Sequence, residues 1–287
     1  MSAPRFAHHA HVFPASMNQG GTVDRLLRLL DSCHIDQAVC FAPFPHQCDR
    51  TEIDPNPWLA TELKKHPRLL GFGTIDVRKP DVASQAKRVA ELGFRGIKLH
   101  PNAQDFDIRS GKLYELYAAA QELKLFLTFH TGVHHSRMSQ SRVIDFDDIP
   151  WNFPDLKFSM EHVGGYHFFP EALAVIFNHV PPPWETGECH VYAGLASVFT
   201  THRLRFWHLS RERLLELVAQ VGADQLIFGL DFPYNLEPET KIAIDTIHSL
   251  GLTEAETDKI LGGNLRRVLG LSPDHAEKPA TIDPRID

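Results

Sequence analysis

The sequence predicts an α/β protein folded as a closed barrel of parallel strands, each followed by a helix. Three observations predict it. Short β-branched or aromatic runs alternate with longer segments at helical spacing along the chain, and strict alternation with short connections implies parallel strands. Eight strand candidates occur, the number that closes a (β/α)8 TIM barrel. No internal repeat or shift in composition marks a second domain, and barrels routinely exceed 200 residues as one domain. The expected organisation is a single barrel domain with a C-terminal helix over residues 1–271, followed by a polar tail at 272–287.

Taken in order, residues 6–14 (FAHHAHVFP) open as a short apolar strand and carry two histidines one residue apart. Residues 20–32 place Val23, Leu26, Leu27 and Leu30 at helical spacing. A second strand covers 35–42 (IDQAVCFA), and a helix at 52–65 has Trp58, Leu59 and Leu63 on one side. The third strand is 68–75 (RLLGFGTI), and the helix 81–92 ends at Gly93 in a C-terminal cap role. The fourth strand, 94–100 (FRGIKLH), leads to a helix at 111–123 and a fifth strand at 125–130 (LFLTFH). Residues 141–151 are polar and carry no clear period. The sixth strand is 156–161 (LKFSME), with a helix at 170–178. Pro181, Pro182 and Pro183 then break regular structure and form a surface loop. Residues 190–198 form the seventh strand, and Ser210 supplies the side-chain oxygen that caps a helix running to Val221. Residues 225–229 (QLIFG) are the eighth strand. Helices at 238–250 and 253–269 follow, the second opening on the capping box Thr-Glu-Ala-Glu. The tail from Ser272 is polar, carries three prolines and lies on the surface.

Composition narrows the partner. Hydrophobic residues make up 43% of the 287, enough for a large core. The net charge of -7 is spread over interspersed signs, which favours neither nucleic acid nor an anionic membrane and leaves a small molecule. The four cysteines show no CxxC spacing and read as reduced thiols in a cytoplasmic protein. No signal-type apolar region and no membrane-length run occurs. Oligomeric state is open, a homo-oligomer included.

In a parallel barrel the active site lies at the C-terminal ends of the strands. The first strand carries His9 and His11, which point to one face at i and i+2 and can grip one metal ion. The fourth ends in Lys98, Leu99 and His100, the fifth in His130, the sixth in His162 and the eighth in Asp231. Each has a plainer explanation. A lone histidine after a strand is more often a hydrogen-bonded rim residue than a ligand, Asp231 within Asp-Phe-Pro suits a turn, and Lys98 can reach the surface along its own stem. Together, His9, His11, His130, His162 and Asp231 at the strand ends of one barrel outweigh those explanations. Arg137, in the loop with His134 and His135, can pair a substrate carboxylate through its planar fork; a solvated basic loop is the equal alternative. Trp207, after the seventh strand, is more readily a packing residue.

At this point the chain resembles the amidohydrolase superfamily, in particular the branch that includes aminocarboxymuconate semialdehyde decarboxylase and many metal-dependent hydrolases. The likeness runs from His9-Ala-His11 through Gly96-Ile-Lys-Leu-His-Pro101, Phe129-His-Thr-Gly132, Glu161-His-Val-Gly-Gly165 and Gly229-Leu-Asp-Phe-Pro233 to Gly263-Asn-Leu-Arg-Arg-Val-Leu-Gly270. Ala7 stands where the first motif usually carries an acidic residue, so a local orienting contact is missing or replaced. The resemblance implies that His9, His11, His130 and Asp231 hold the metal. It places His162 beside them as a catalytic histidine that polarises a carbonyl, and makes Asp231 the proton shuttle. Three imidazoles and a carboxylate suit one divalent ion, zinc first and manganese second. Some superfamily members carry a carboxylated lysine on the fourth strand that bridges two metals. The branch resembled here uses one metal, which leaves Lys98 as a structural or substrate-contacting cation, with His100 touching substrate from the same rim.

The expected function is a metal-dependent hydrolase that uses metal-activated water on a C–N or C–O bond (amide, cyclic amide or lactone) of a small polar substrate. The alternative on the same ligands is a lyase, a non-oxidative decarboxylase of a small aromatic or unsaturated acid. Only Lys98 and Arg137 stand out as cations to hold such a carboxylate, which tilts the reading to hydrolysis. A barrel that binds metal or ligand without turnover is a third class, and a proton-transfer group at Asp231 argues against it.

Overall fold

The computed structural model describes residues 3–139, 142–201 and 205–271. The tail expected at 272–287 lies outside the described residues. Among them, nine parallel strands form a nearly closed barrel: β1 (Phe6–His11), β2 (Gln37–Phe41), β3 (Leu69–Gly73), β4 (Gly96–Leu99), β5 (Phe126–His130), β6 (Phe158–Glu161), β7 (Val191–Gly194), β8 (Leu226–Ile227) and β9 (Gly229–Phe232). They run in the order β8-β7-β6-β5-β4-β3-β2-β1-β9.

The eighth strand, expected at 225–229, is instead two short strands, β8 and β9, parted only by Phe228, and the second runs on to Phe232. Its first half pairs with β7, through Ala193 with Leu226 and Gly194 with Ile227. Its second half pairs with β1, through His8 with Gly229 and Ala10 with Phe232. At the step, the Phe228 amide donates to the Ile260 carbonyl at 3.1 Å and its own carbonyl accepts from His8 N at 2.9 Å. One residue thus changes partners without leaving a buried backbone group unpaired.

The helices sit where the apolar spacing puts them. Val23–Ser32 buries Val23, Leu26, Leu29 and Leu30. Arg211–Val221 starts at Ser210, whose hydroxyl accepts from Arg213 N. Gly93, at φ +81°, ends the helix Val82–Glu91. The helix expected at 170–178 begins earlier and spans Gly165–Asn178. The segment without a clear period forms a 3-10 turn, Val143–Asp147, and a short helix, Asp148–Asn152. All four cysteines are free and buried. Among the described residues, no helix is long and apolar enough to cross a membrane.

The apolar residues divide between two regions. Most pack between strands and helices, including Ala7, Ala10, Cys40, Leu99 and Phe129. A smaller group, with Phe6, Val39, Phe41, Phe72, Phe126, Tyr192 and Ile227, packs with Leu265 and Leu269. Those two leucines come from the last helical stretch among the described residues, which plugs the end of the barrel where the strands begin. The single helix expected at 253–269 is three pieces: Glu254–Asp258, a wider turn at Lys259–Gly263, and Asn264–Val268. Its capping box at Thr253 and Glu256 is present. The break falls at Gly262 because a side chain there would collide with β1, its Cβ lying 2.5 Å from Phe6 N and 3.0 Å from Pro4 O.

Replacing Gly262 with valine should therefore push the plug off β1. Equilibrium urea unfolding should show a loss of about 1–3 kcal/mol, the usual range for overpacking a closed core. Unchanged stability would mean that the plug does not depend on this close approach.

Candidate metal centre

A regular strand alternates its side chains between two faces, so His9 and His11 should share a face that His8 lacks. The structure brings all three into the barrel. The register of β1 slips between Ala7 and Ala10 against both β2 and β9, and His9 adopts φ +64° within the slip. The bulge resets the alternation, leaving His8 and His9 fully or almost fully buried and His11 nearly so. A left-handed residue also follows directly on β6: Glu161 and His162 both turn inward, and His162, just past the strand, takes φ +65°. There Thr131 ties the ends of β5 and β6 together, its hydroxyl donating to the Glu161 carbonyl and accepting from Gly164 N. Asp231, at φ +57°, lies in β9.

Three donor atoms converge. His9 Nε2 lies 3.2 Å from His11 Nε2 and 3.4 Å from Asp231 Oδ1, and His11 Nε2 lies 4.0 Å from the same oxygen. Ligands about 2.1 Å from a tetrahedral zinc ion stand roughly 3.4 Å apart, so the triangle fits one ion. The other oxygen of Asp231 accepts from Ser197 Oγ at 2.5 Å, and Ser197 Oγ accepts from Asn235 Nδ2 at 2.8 Å. That chain leaves Oδ1 aimed at the two imidazoles. The other nitrogen of His9, Nδ1, lies 2.7 Å from Glu161 Oε2. This separation is too short for two ligands of one ion and right for a hydrogen bond to a carboxylate.

His162 joins the cluster: ligand-type atoms of His9, His162 and Asp231 lie within 4.8 Å of one another. His162 Nδ1 lies 2.7 Å from the Ala196 carbonyl. A carbonyl only accepts, so Nδ1 carries the proton and Nε2 offers a lone pair. This bears on the oxyanion-steadying role expected of His162, because in this tautomer Nε2 has no proton to give. His130 stands next to it, with ring centroids 4.8 Å apart, and its Nε2 is buried without a hydrogen-bond partner. His100 stacks on His130 at 3.8 Å, and Trp207 stacks on His162 at 4.0 Å. Trp207 Nε1 also donates to the Val133 carbonyl, so its packing role is to wedge these rings in place. Lys98 is wholly buried, with Nζ unpartnered and 5.3 Å from the centre of the Phe41 ring. Arg137 is exposed, and its carbonyl accepts from Asn102 Nδ2.

Burial sets the charge states. It drives His9, His11, His100 and His130 well below the usual imidazole range, with Lys98 adding to the effect, and lowers His162 to about 3. It lowers Lys98 to about 8, opposed by Glu161 and Asp231. It raises Asp231 to about 6, opposed by the Ser197 hydroxyl and Lys98. Burial also works against a charge on Glu161, but the facing imidazoles of His9 and His8 outweigh it and hold the carboxyl well below the usual range.

Sequence reasoning placed His9, His11, Lys98, His100, His130, His162 and Asp231 at the rim, and missed His8, Glu161, Ser197 and Asn235. His8 and Glu161 stand next to chosen residues, on what alternation makes the wrong face. The available signal was the alternation of Leu156–Glu161 (LKFSME), which sets Ser159 and Glu161 on one face of the strand.

The sequence model of one protein family, described as Amidohydrolase, matches residues 8–271. Solved structures share the fold at low identity. The 5-carboxyvanillate decarboxylase of Sphingomonas paucimobilis is 16% identical with a TM-score of 0.69, the match covering 94% of this chain and 100% of that one. A protein of Pseudomonas putida assigned as a 2-pyrone-4,6-dicarboxylic acid hydrolase is 19% identical at TM-score 0.67, over 94% and 98%. A dihydroxybenzoic acid decarboxylase of a Polaromonas species, solved with manganese and 2-nitroresorcinol, is 16% identical at TM-score 0.66, over 93% and 97%.

The charge states predict how the metal-free protein responds to acid. Five buried imidazoles have native pKa values below the 6.5 of a free imidazole. The unfolded chain therefore binds protons that the native state refuses, and the stability present above pH 6.5 is lost as pH falls. Asp231, raised to about 6, acts in the opposite sense, but it is one group against five. Calorimetry of chelator-treated protein should show Tm falling steadily from about pH 7 to pH 5. A flat profile would mean these rings are not buried in the neutral form.

Proposed function

The chain belongs to the amidohydrolase family, and from that premise we propose that it is a metal-dependent hydrolase of a C–N or C–O bond in a small polar substrate, such as an amide, cyclic amide or lactone. The observation that carries the reading is the convergence of His9 Nε2, His11 Nε2 and Asp231 Oδ1 within 3.2–4.0 Å. His130 is proposed as the further ligand, since a buried nitrogen without a partner calls for one. The donor set favours zinc, with manganese next. Such an ion, when bound, brings the pKa of water to about 7 and polarises a carbonyl.

The protein's own groups supply the rest. Asp231 is positioned by Ser197, whose hydroxyl donates to its Oδ2. At neutral pH its Oδ1 can take a proton from water and return it to a leaving nitrogen or oxygen. His162, neutral and fixed by the Ala196 carbonyl, presents an acceptor at Nε2 that orients a water or a substrate N–H. His100 and Trp207 brace His130 and His162 at the mouth. Lys98 and Arg137 are the proposed substrate-contacting cations. The partner is a small molecule, and a cytoplasmic location is proposed from the reduced thiols.

Decarboxylation is the second reading. It is favoured by the likeness to solved decarboxylases and by Asp231, which could protonate a carbon. Against it, the two candidate cations are poorly placed to clamp a carboxylate: one is sealed in the barrel and the other is exposed on a loop.

Elemental analysis should find one divalent ion per chain in the wild type, lost in H9A, H11A and D231A. H130A should lose metal and H162A should keep it; the reverse result would exchange those two roles. D231N should lower kcat by about 10²–10⁴-fold, the range for removing a general acid–base. A panel of lactones, amides and aromatic acids, read for both hydrolysis product and carbon dioxide, separates the two readings. Carbon dioxide release without hydrolysis would overturn the first.

A further inference from the structure

Beneath the donor triangle lies a buried polar layer that the proposed chemistry does not use: His8, Thr128, Ser159 and Glu161, all wholly buried. We propose that Glu161 is the positioning residue of the metal centre, reaching from β6 to fix the His9 ring so that Nε2 faces the ion. The proposal rests on the reading that His9 is a ligand.

The geometry supplies the argument. Nδ1 of His9 and Oε2 of Glu161 are 2.7 Å apart, and a carboxylate can only accept. The proton therefore sits on Nδ1, and the Nε2 lone pair is left pointing at His11 and Asp231. A ring held this way does not have to choose a tautomer or an orientation when metal arrives. Glu161 is itself fixed: Ser159 Oγ donates to Oε1 at 2.6 Å, and His8 Nδ1 stands 3.4 Å from the same oxygen. His8 is anchored in turn through Nε2, 3.2 Å from Thr128 Oγ1.

The neighbouring strand is shaped around the carboxylate. Gly194 lies beside it on β7, and a methyl group there would overlap the Glu161 carboxyl atoms. Ala7, two residues before His9, has no polar group and packs in the outer core between strands and helices. Its side of β1 faces away from the ring. The orienting contact therefore comes from across the barrel, 152 positions along the chain.

The test uses full-length protein and zinc, with competition against a chromophoric chelator. Glu161→Gln and Glu161→Leu should keep the fold by circular dichroism yet bind zinc about 10–100-fold more weakly, the usual cost of losing such a partner. Gly194→Ala, which crowds the carboxylate without touching His9, should weaken binding in the same direction. Long-range nitrogen–proton NMR of metal-free, ¹⁵N-histidine-labelled protein, with His9 assigned by H9Q, should show the His9 proton on Nδ1. Wild-type zinc affinity in both Glu161 variants, or a His9 proton on Nε2 in the wild type, would overturn the proposal. The NMR result decides the matter even if the variants do not fold. H9A separates the two levels: if it binds zinc as the wild type does, the ligand reading itself has failed.

Discussion

The mouth of this barrel depends on left-handed backbone at five residues that carry side chains: His9, His162, Val163, Ser197 and Asp231. A strand in regular pleat gives the interior every second residue. At β1 and β6, two adjacent residues enter instead, because the left-handed residue resets the alternation. Each such residue costs on the order of 1–2 kcal/mol relative to ordinary backbone. The cost is tolerable because the strands are clamped on both sides by parallel neighbours and tied at their ends, as Thr131 ties β5 to β6. The strain and the polar convergence therefore have one origin. Straightening β1 would return His9 to the outer face, away from Glu161 and Asp231.

Below that mouth the barrel holds more charge than its packing alone would choose. Lys98, Glu161 and Asp231 are buried within reach of one another's fields, and Lys98 has no hydrogen bond. Buried ions are costly unless paired. Here one ammonium faces two carboxylates, and burial answers by raising Asp231 to about 6. A divalent cation in the triangle would reverse that response, holding Asp231 ionised and offsetting the two carboxylates. The same cation would use the lone pairs of imidazoles that burial keeps neutral. The polar interior is thus poorly balanced as a structural core and well matched to a metal-bound state.

Much of this could be read from the sequence, for reasons that lie in particular residues. Alternating runs such as FRGIKLH and LFLTFH announce buried parallel strands, and the capping residues Ser210 and Thr253 place helix starts within a residue. Strand ends marked His9, His11, His130, His162 and Asp231 as rim groups because parallel topology puts all strand ends on one side. What stayed hidden was whatever breaks a period. The bulge at His9 turns it inward beside His8, the left-handed turn at His162 turns it inward beside Glu161, and Gly262 splits a helix that its periodicity and capping box read as one piece. These depend on contacts between distant segments: Gly262 against Phe6, Gly194 against Glu161 and Ser197 against Asp231. The tautomer of His162 was equally hidden, because it is set by the carbonyl of Ala196.

The neutrality of the mouth also bears on the choice between hydrolysis and decarboxylation. His100, His130 and His162 line it as uncharged rings, with Trp207 and Phe44 among their neighbours. Such walls accept a planar or apolar body but do nothing to neutralise an anion. A substrate that enters as a carboxylate would have to find its counter-charge in the metal, in Lys98, or in a loop residue such as Arg137 brought inward. A lactone or amide makes no such demand, since its carbonyl needs only polarisation and its leaving group only the proton that Asp231 can hold. The walls therefore weigh towards a neutral reacting group, whatever charge the substrate carries elsewhere.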